Sequence, residues 1–136
     1  MNTHRETPDQ RRAKFAWDRV HDQSKGPDFE KYANLAKGAP ALILSNGLMQ
    51  ALAYMETRKE EQKKALSKDV CCWLTKTQGF KSDKFSDVMA SLQTVSAGDY
   101  MRATDEVMQL LRWIRQFVSV AKEGAAGSHQ ERQGGR

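Results

Sequence analysis

The sequence predicts an all-α protein, a compact bundle of about six helices around one buried central helix. Two absences and one long stretch support this. No run of residues alternates apolar and polar with a period of two, and β-branched residues are scarce. Apolar residues recur instead at i, i+3, i+4 and i+7. The stretch Gly38–Met55, GAPALILSNGLMQALAYM, holds no charged side chain, with Lys37 before it and Glu56 after it.

Thr7 or Asp9 can start a first helix with Pro8 at its edge, and Ala13, Ala16, Trp17 and Val20 form its core face. His21 closes that helix, where a partial positive charge suits the dipole, and Ser24–Pro27 is a loop. Asp28 can cap a second helix carrying Phe29, Tyr32, Ala33, Leu35 and Ala36, which Gly38 ends. The central helix follows, with Pro40 in its first turn and Ala41, Leu44, Leu48, Leu52 and Met55 on one face. Gly47 in its interior costs about 1 kcal/mol relative to alanine and implies close approach of a neighbouring helix. A charged segment, Glu56–Lys68, leads into Leu66, Val70, Trp73 and Leu74. Ser82 or Asp83 caps a fifth helix with Phe85, Val88, Met89 and Leu92 inward. Asp99 opens the last helix, whose stripe runs from Tyr100 through Val107, Leu111 and Val118 to Ala121. Residues 1–123 therefore read as one domain, and 124–136, GAAGSHQERQGGR, as a disordered glycine-rich tail.

The central stretch is long enough to raise a membrane span. Ser45, Asn46, Gly47 and Gln50 at its middle argue for a protein core instead. The N-terminus, MNTHRETPDQRR, lacks the apolar segment of a signal peptide, so no membrane and a cytoplasmic location are expected. Cys71 and Cys72 are adjacent and point about 100° apart on a helix, which disfavours a disulfide between them or a shared metal.

Chemistry-bearing patterns are scarce. His4, His21 and His129 share no helical face, and no phosphate loop, GxSxG or HExxH is present. Asp105–Glu106 and Glu60–Glu61 are acidic pairs set among lysines and arginines, as on a solvated helix face. A metal-dependent nuclease built on Asp105 and Glu106 is thus a weak reading, and neither catalysis, cofactor nor metal is expected. The net charge of +5 and pI of about 9.3 favour an acidic partner. Arg12, Lys14 and Arg19 on the first helix, with Lys59, Lys63 and Lys68 on the fourth, are the candidates for phosphate contact. The loop cations Lys76, Lys81 and Lys84 form a further cluster. No base-reading motif accompanies them, so any nucleic acid is expected to be held by its backbone. A helical protein–protein adaptor with a basic face, or a DNA-binding regulator, would share these features.

A set of motifs narrows the choice. Gln10-Arg11-Arg12-Ala13, Ala16-Trp17, Val20, Tyr32, Pro40, Asn46-Gly47-Leu48 and Ala51-Leu52-Ala53 come in an order that resembles the small all-helical subunit of type III-B (Cmr-type) CRISPR effector complexes. Trp73-Leu74 and, in the last helix, Tyr100, Thr104, Glu106, Leu111, Trp113 and Phe117 extend the resemblance over roughly residues 8 to 122. The small subunit of the related type III-A complexes is a neighbouring possibility. The resemblance implies a non-catalytic structural subunit. Its partners would be the backbone and large subunits of the complex, copies of itself in a minor filament, and the guide RNA and target RNA. Its basic side chains would line the target strand.

Overall fold

The computed structural model describes residues 5–57 and 61–134, with side chains described over 5–57 and 64–124. Six helices follow one another among the described residues: α1 (Pro8–Ser24), α2 (Phe29–Asn46), α3 (Leu48–Glu56), α4 (Glu61–Gln78), α5 (Phe85–Thr94) and α6 (Ala97–Gly134). No strand occurs among them.

α1 begins with a full capping box. Thr7 Oγ1 accepts the Gln10 N–H at 3.0 Å, and the Gln10 side chain accepts the Thr7 N–H at 2.7 Å. Two otherwise orphaned donors are satisfied, and Pro8 follows without an N–H to place. Thr7→Ala is expected to lower stability by about 1 kcal/mol, read as a shift of the urea midpoint.

The uncharged stretch is arranged differently from the sequence expectation. α2 runs unbroken through Gly38 and Pro40, and the single central helix is two helices that meet at Gly47. Gly38 keeps an ordinary backbone conformation, so nothing ends the helix there. Pro40 removes one interior hydrogen bond, the one that would reach the Ala36 carbonyl. Gly47, at φ +87° and ψ 163°, is the break. Its N–H closes α2 on the Ile43 carbonyl at 2.7 Å, and its own carbonyl accepts the Ala51 N–H at 3.1 Å to open α3. The Tyr100 hydroxyl of α6 accepts the Met49 N–H at 3.1 Å, one of the donors that the start of α3 leaves open. The two-helix arrangement also leaves Leu44 78% exposed, although it lies on the expected core face.

The core joins Ala16 and Val20 of α1, Tyr32, Ala36 and Ile43 of α2, Leu48 and Leu52 of α3, Leu66, Val70 and Leu74 of α4, Val88 and Leu92 of α5, and Val107, Leu110, Leu111 and Ile114 of α6. α6 packs along α1 and also against α2 and α4. On α1 the inward face is turned from the expected one: Phe15 packs on the core and Trp17 is 48% exposed. The rotation brings Arg12 and Arg19 inward, where α6 and α4 supply carboxylates. α6 starts with Ser96 Oγ accepting the Asp99 N–H at 3.1 Å, and it continues through Gly124 to Gly134. Gly124 has no positive φ, and an interior glycine weakens a helix without ending it.

Candidate nucleic-acid interface

Two of the six cations singled out in the sequence are internal struts. Arg12 lies against Glu106 in a forked pair, Nε to Oε2 at 2.6 Å and Nη2 to Oε1 at 3.0 Å, and Trp73 Nε1 donates to the same carboxylate at 3.0 Å. The side chains of Arg12 and Glu106 are only 19% and 16% exposed. The cluster therefore locks α1, α4 and α6 together. The hydrogen bond from Arg12 holds the Glu106 carboxyl below its ordinary range against the opposing effect of burial, with the Trp73 N–H assisting. Glu106 is thus bound up within the bundle, while Asp105 is exposed beside it. The two do not share a site.

Arg19 forms the second strut. Its Nε donates to Asp69 Oδ1 at 2.8 Å, and the Tyr32 hydroxyl donates to Asp69 Oδ2 at 2.8 Å. Asp69 is almost wholly buried, and burial pushes its carboxyl above the usual range, although Arg19 and the Tyr32 hydroxyl draw it back. This cluster ties α1, α2 and α4 together.

Lys14 and Lys68 are exposed, as a phosphate ligand must be, but they lie in separate clefts. The cleft beside Lys14 also contains Glu6 and Asp18, and the one beside Lys68 contains Glu56, Asp69 and Asp83. Lys59 lies outside the described residues, as does the side chain of Lys63. Among the loop cations, Lys76 sits over the Phe15 ring at 5.6 Å.

A third groove has a different character. Lys37 of α2 faces Arg112 and Arg115 of α6, and Gln116 and Ser119 complete a cleft of about 450 Å³ in which no acidic side chain takes part. All three cations are exposed, and none has an ion-pair partner among the described residues. Across Arg112 and Gln116 the cleft adjoins a second one, which Gln109, Trp113 and Asp9 complete. Asp9 is the only acid of the pair of clefts among the described residues, and it is occupied: its Oδ1 accepts from Trp113 Nε1 at 2.9 Å and lies 3.5 Å from Arg12.

Sequence reasoning missed this groove. Lys37 is a lone cation beside an apolar stretch, and only the packing of α2 on α6 brings it to Arg112 and Arg115. The i, i+3 spacing of the two arginines on the outer face of α6 was the available signal.

Other chemistry is sparse in the described part of the chain. No three His, Cys, Asp or Glu side chains gather to hold a metal among the described residues. Burial pushes the Cys71 thiol up to about 12, far from the reactive range. No helix among the described residues is long and apolar enough to cross a membrane.

The fold and the unpaired cations thus describe a small basic all-α protein. The family described as CRISPR-associated protein (Cas_Cmr5) matches residues 8–121, and the chain belongs to that family. The CRISPR system Cmr subunit Cmr5 of Thermus thermophilus is 28% identical over 111 residues, which span 82% of this chain and 92% of the relative. The X-ray crystal structure of a CRISPR-associated Cmr5 family protein from the same organism superposes with a TM-score of 0.74 at 26% identity, covering 86% of this chain and 98% of that one. The bundle is therefore that of a small Cmr-type CRISPR subunit.

Proposed function

We propose that the chain is a non-catalytic structural subunit of a type III-B CRISPR effector complex, located in the cytoplasm, that stacks in a minor filament and helps hold the target RNA along the guide. The observation that carries the RNA-holding part is the groove of Lys37, Arg112 and Arg115, where three cations meet with no ion-pair partner and no acid among the described residues. Such a site attracts phosphates and releases their counterions. Lys14 and Lys68 are exposed at other faces and serve as secondary contacts, Lys59 and the side chain of Lys63 lie outside the described residues, and Arg12 and Arg19 act through the integrity of the bundle.

The test is a complex reconstituted with guide RNA and a labelled target strand, carrying K37Q, R112Q and R115Q together. Loss of three phosphate contacts should weaken target retention and flatten the slope of log affinity against log salt by about 2. An intact complex with unchanged retention and slope would exclude the groove from the RNA path.

A second reading, a helical adaptor between protein partners, draws on the exposed Leu44 and Met101, which are 78% and 65% accessible. The same side chains suit stacking against copies of this chain. RNase treatment separates the readings: partners released by RNase are held through RNA, and partners retained are held by protein contact.

A further inference from the structure

Four aromatic rings run across the α1–α6 seam beside the cationic groove. Trp113 and Phe117 of α6 stack with centroids 5.5 Å apart and planes at 29°. Phe117 meets Trp17 of α1 edge to face at 5.2 Å and 81°, and Trp17 lies near-parallel to His21 at 6.2 Å. Trp113 is held in place by its hydrogen bond to Asp9. Trp17 is contacted by His21 and Phe117 and remains 48% exposed, so about half of a large aromatic residue meets solvent. Trp17 lies outside the core cluster, to which its neighbours Ala16 and Val20 belong.

We infer that this ladder is a stacking platform for the bases of single-stranded RNA whose phosphates lie in the adjoining groove. The inference rests on the proposed phosphate groove and adds a base-contacting element to it. Two observations favour RNA over a protein surface as the occupant. The cleft at Trp113 shares Arg112 and Gln116 with the Lys37 groove, so the first ring of the ladder and the cations lie side by side on α6. The single acid lining those two clefts among the described residues is already engaged. Stacked aromatic faces beside a cationic channel hold single strands without selecting a sequence, because every base offers a π face.

The experiment follows the intrinsic tryptophan fluorescence of the full chain during titration with a short oligoadenylate, and with a sugar-phosphate oligomer of equal length that lacks bases. Trp73 is buried, so quenching reports on Trp17 and Trp113. The oligoadenylate should bind about tenfold more tightly than the abasic oligomer and quench the emission. W17L should remove the preference and leave the salt dependence in place, and W17F should restore it. Equal affinities without quenching would overturn the ladder while leaving the phosphate groove standing. Failure of both oligomers to bind at low salt would overturn the two together. Quenching by another subunit of the complex in the absence of RNA, with none from the oligoadenylate, would make the ladder a protein interface and overturn its assignment to RNA.

Discussion

Glu106→Ala is expected to destabilise the protein by about 2–4 kcal/mol. The substitution removes both acceptors of the Arg12 fork and leaves the Trp73 N–H without its partner. The guanidinium would be left in a poorly exposed position with only the longer, more exposed contact to Asp9 at 3.5 Å as counter-charge, which is why truncation costs more than the pair itself contributes. Glu106→Gln keeps an oxygen acceptor and should lose about half as much. Because the folded carboxyl lies below its ordinary value of 4.5, the contribution of Glu106 is full above that value and is lost as pH falls through the lower folded value. Asp69 acts in the opposite sense. Its folded value is raised above 3.8, so its contribution is greatest below 3.8 and declines as pH rises through the folded value. Urea midpoints measured between pH 3 and 7 should therefore show the gap between the native chain and E106Q closing toward acid pH. Parallel curves would mean that ionisation of Glu106 adds no stability to the folded chain.

Gly47→Ala is expected to be nearly as damaging, at up to about 3 kcal/mol. With φ +87° and ψ 163°, Gly47 occupies a region that side-chain-bearing residues almost never adopt. Space is not the obstacle, since an added Cβ would meet only the Tyr100 hydroxyl, at an ordinary 3.7 Å. The backbone itself resists. Relief would require α2 and α3 to reorient, and the Met49–Tyr100 hydrogen bond would be disturbed with them. Thermal unfolding checks this directly. A midpoint within about 1 °C of the native chain would show that the link between α2 and α3 is soft enough to relax.

The all-α class and most helix starts could be read from the sequence because capping and apolar spacing are local. Thr7, Pro8 and Gln10 announce the start of α1 without reference to the rest of the chain. Gly47 shows the limit of local reading. As an interior glycine it implied close approach of a neighbour, whereas its purpose is a backbone angle that only tertiary packing reveals. Arg12 and Arg19 were misplaced for a related reason. They look like surface cations until the turn of α1 is known, and their acidic partners lie on distant helices. The site proposed here joins α2 to α6 and leaves no mark at any one position. The family motifs were more legible than the site because many of their residues sit in helix–helix locks: Arg12, Trp73 and Glu106 in one, Tyr32 in another, Tyr100 at the start of α3 and Trp113 at Asp9.

The pairing of α1 with α6 has a consequence for biosynthesis. The Arg12–Glu106 fork joins positions 94 residues apart, and the Asp9–Trp113 bond spans 104. At ordinary rates of translation the first helix waits roughly 5 to 20 s before its partner is made. Throughout that interval Phe15, Ala16 and Val20 have no α6 to cover them. A ribosome that stalls before residue 97 holds a chain whose first helix can reach Tyr32, Asp69 and Trp73 but lacks the whole α6 seam, and that face stays uncovered until the last helix emerges.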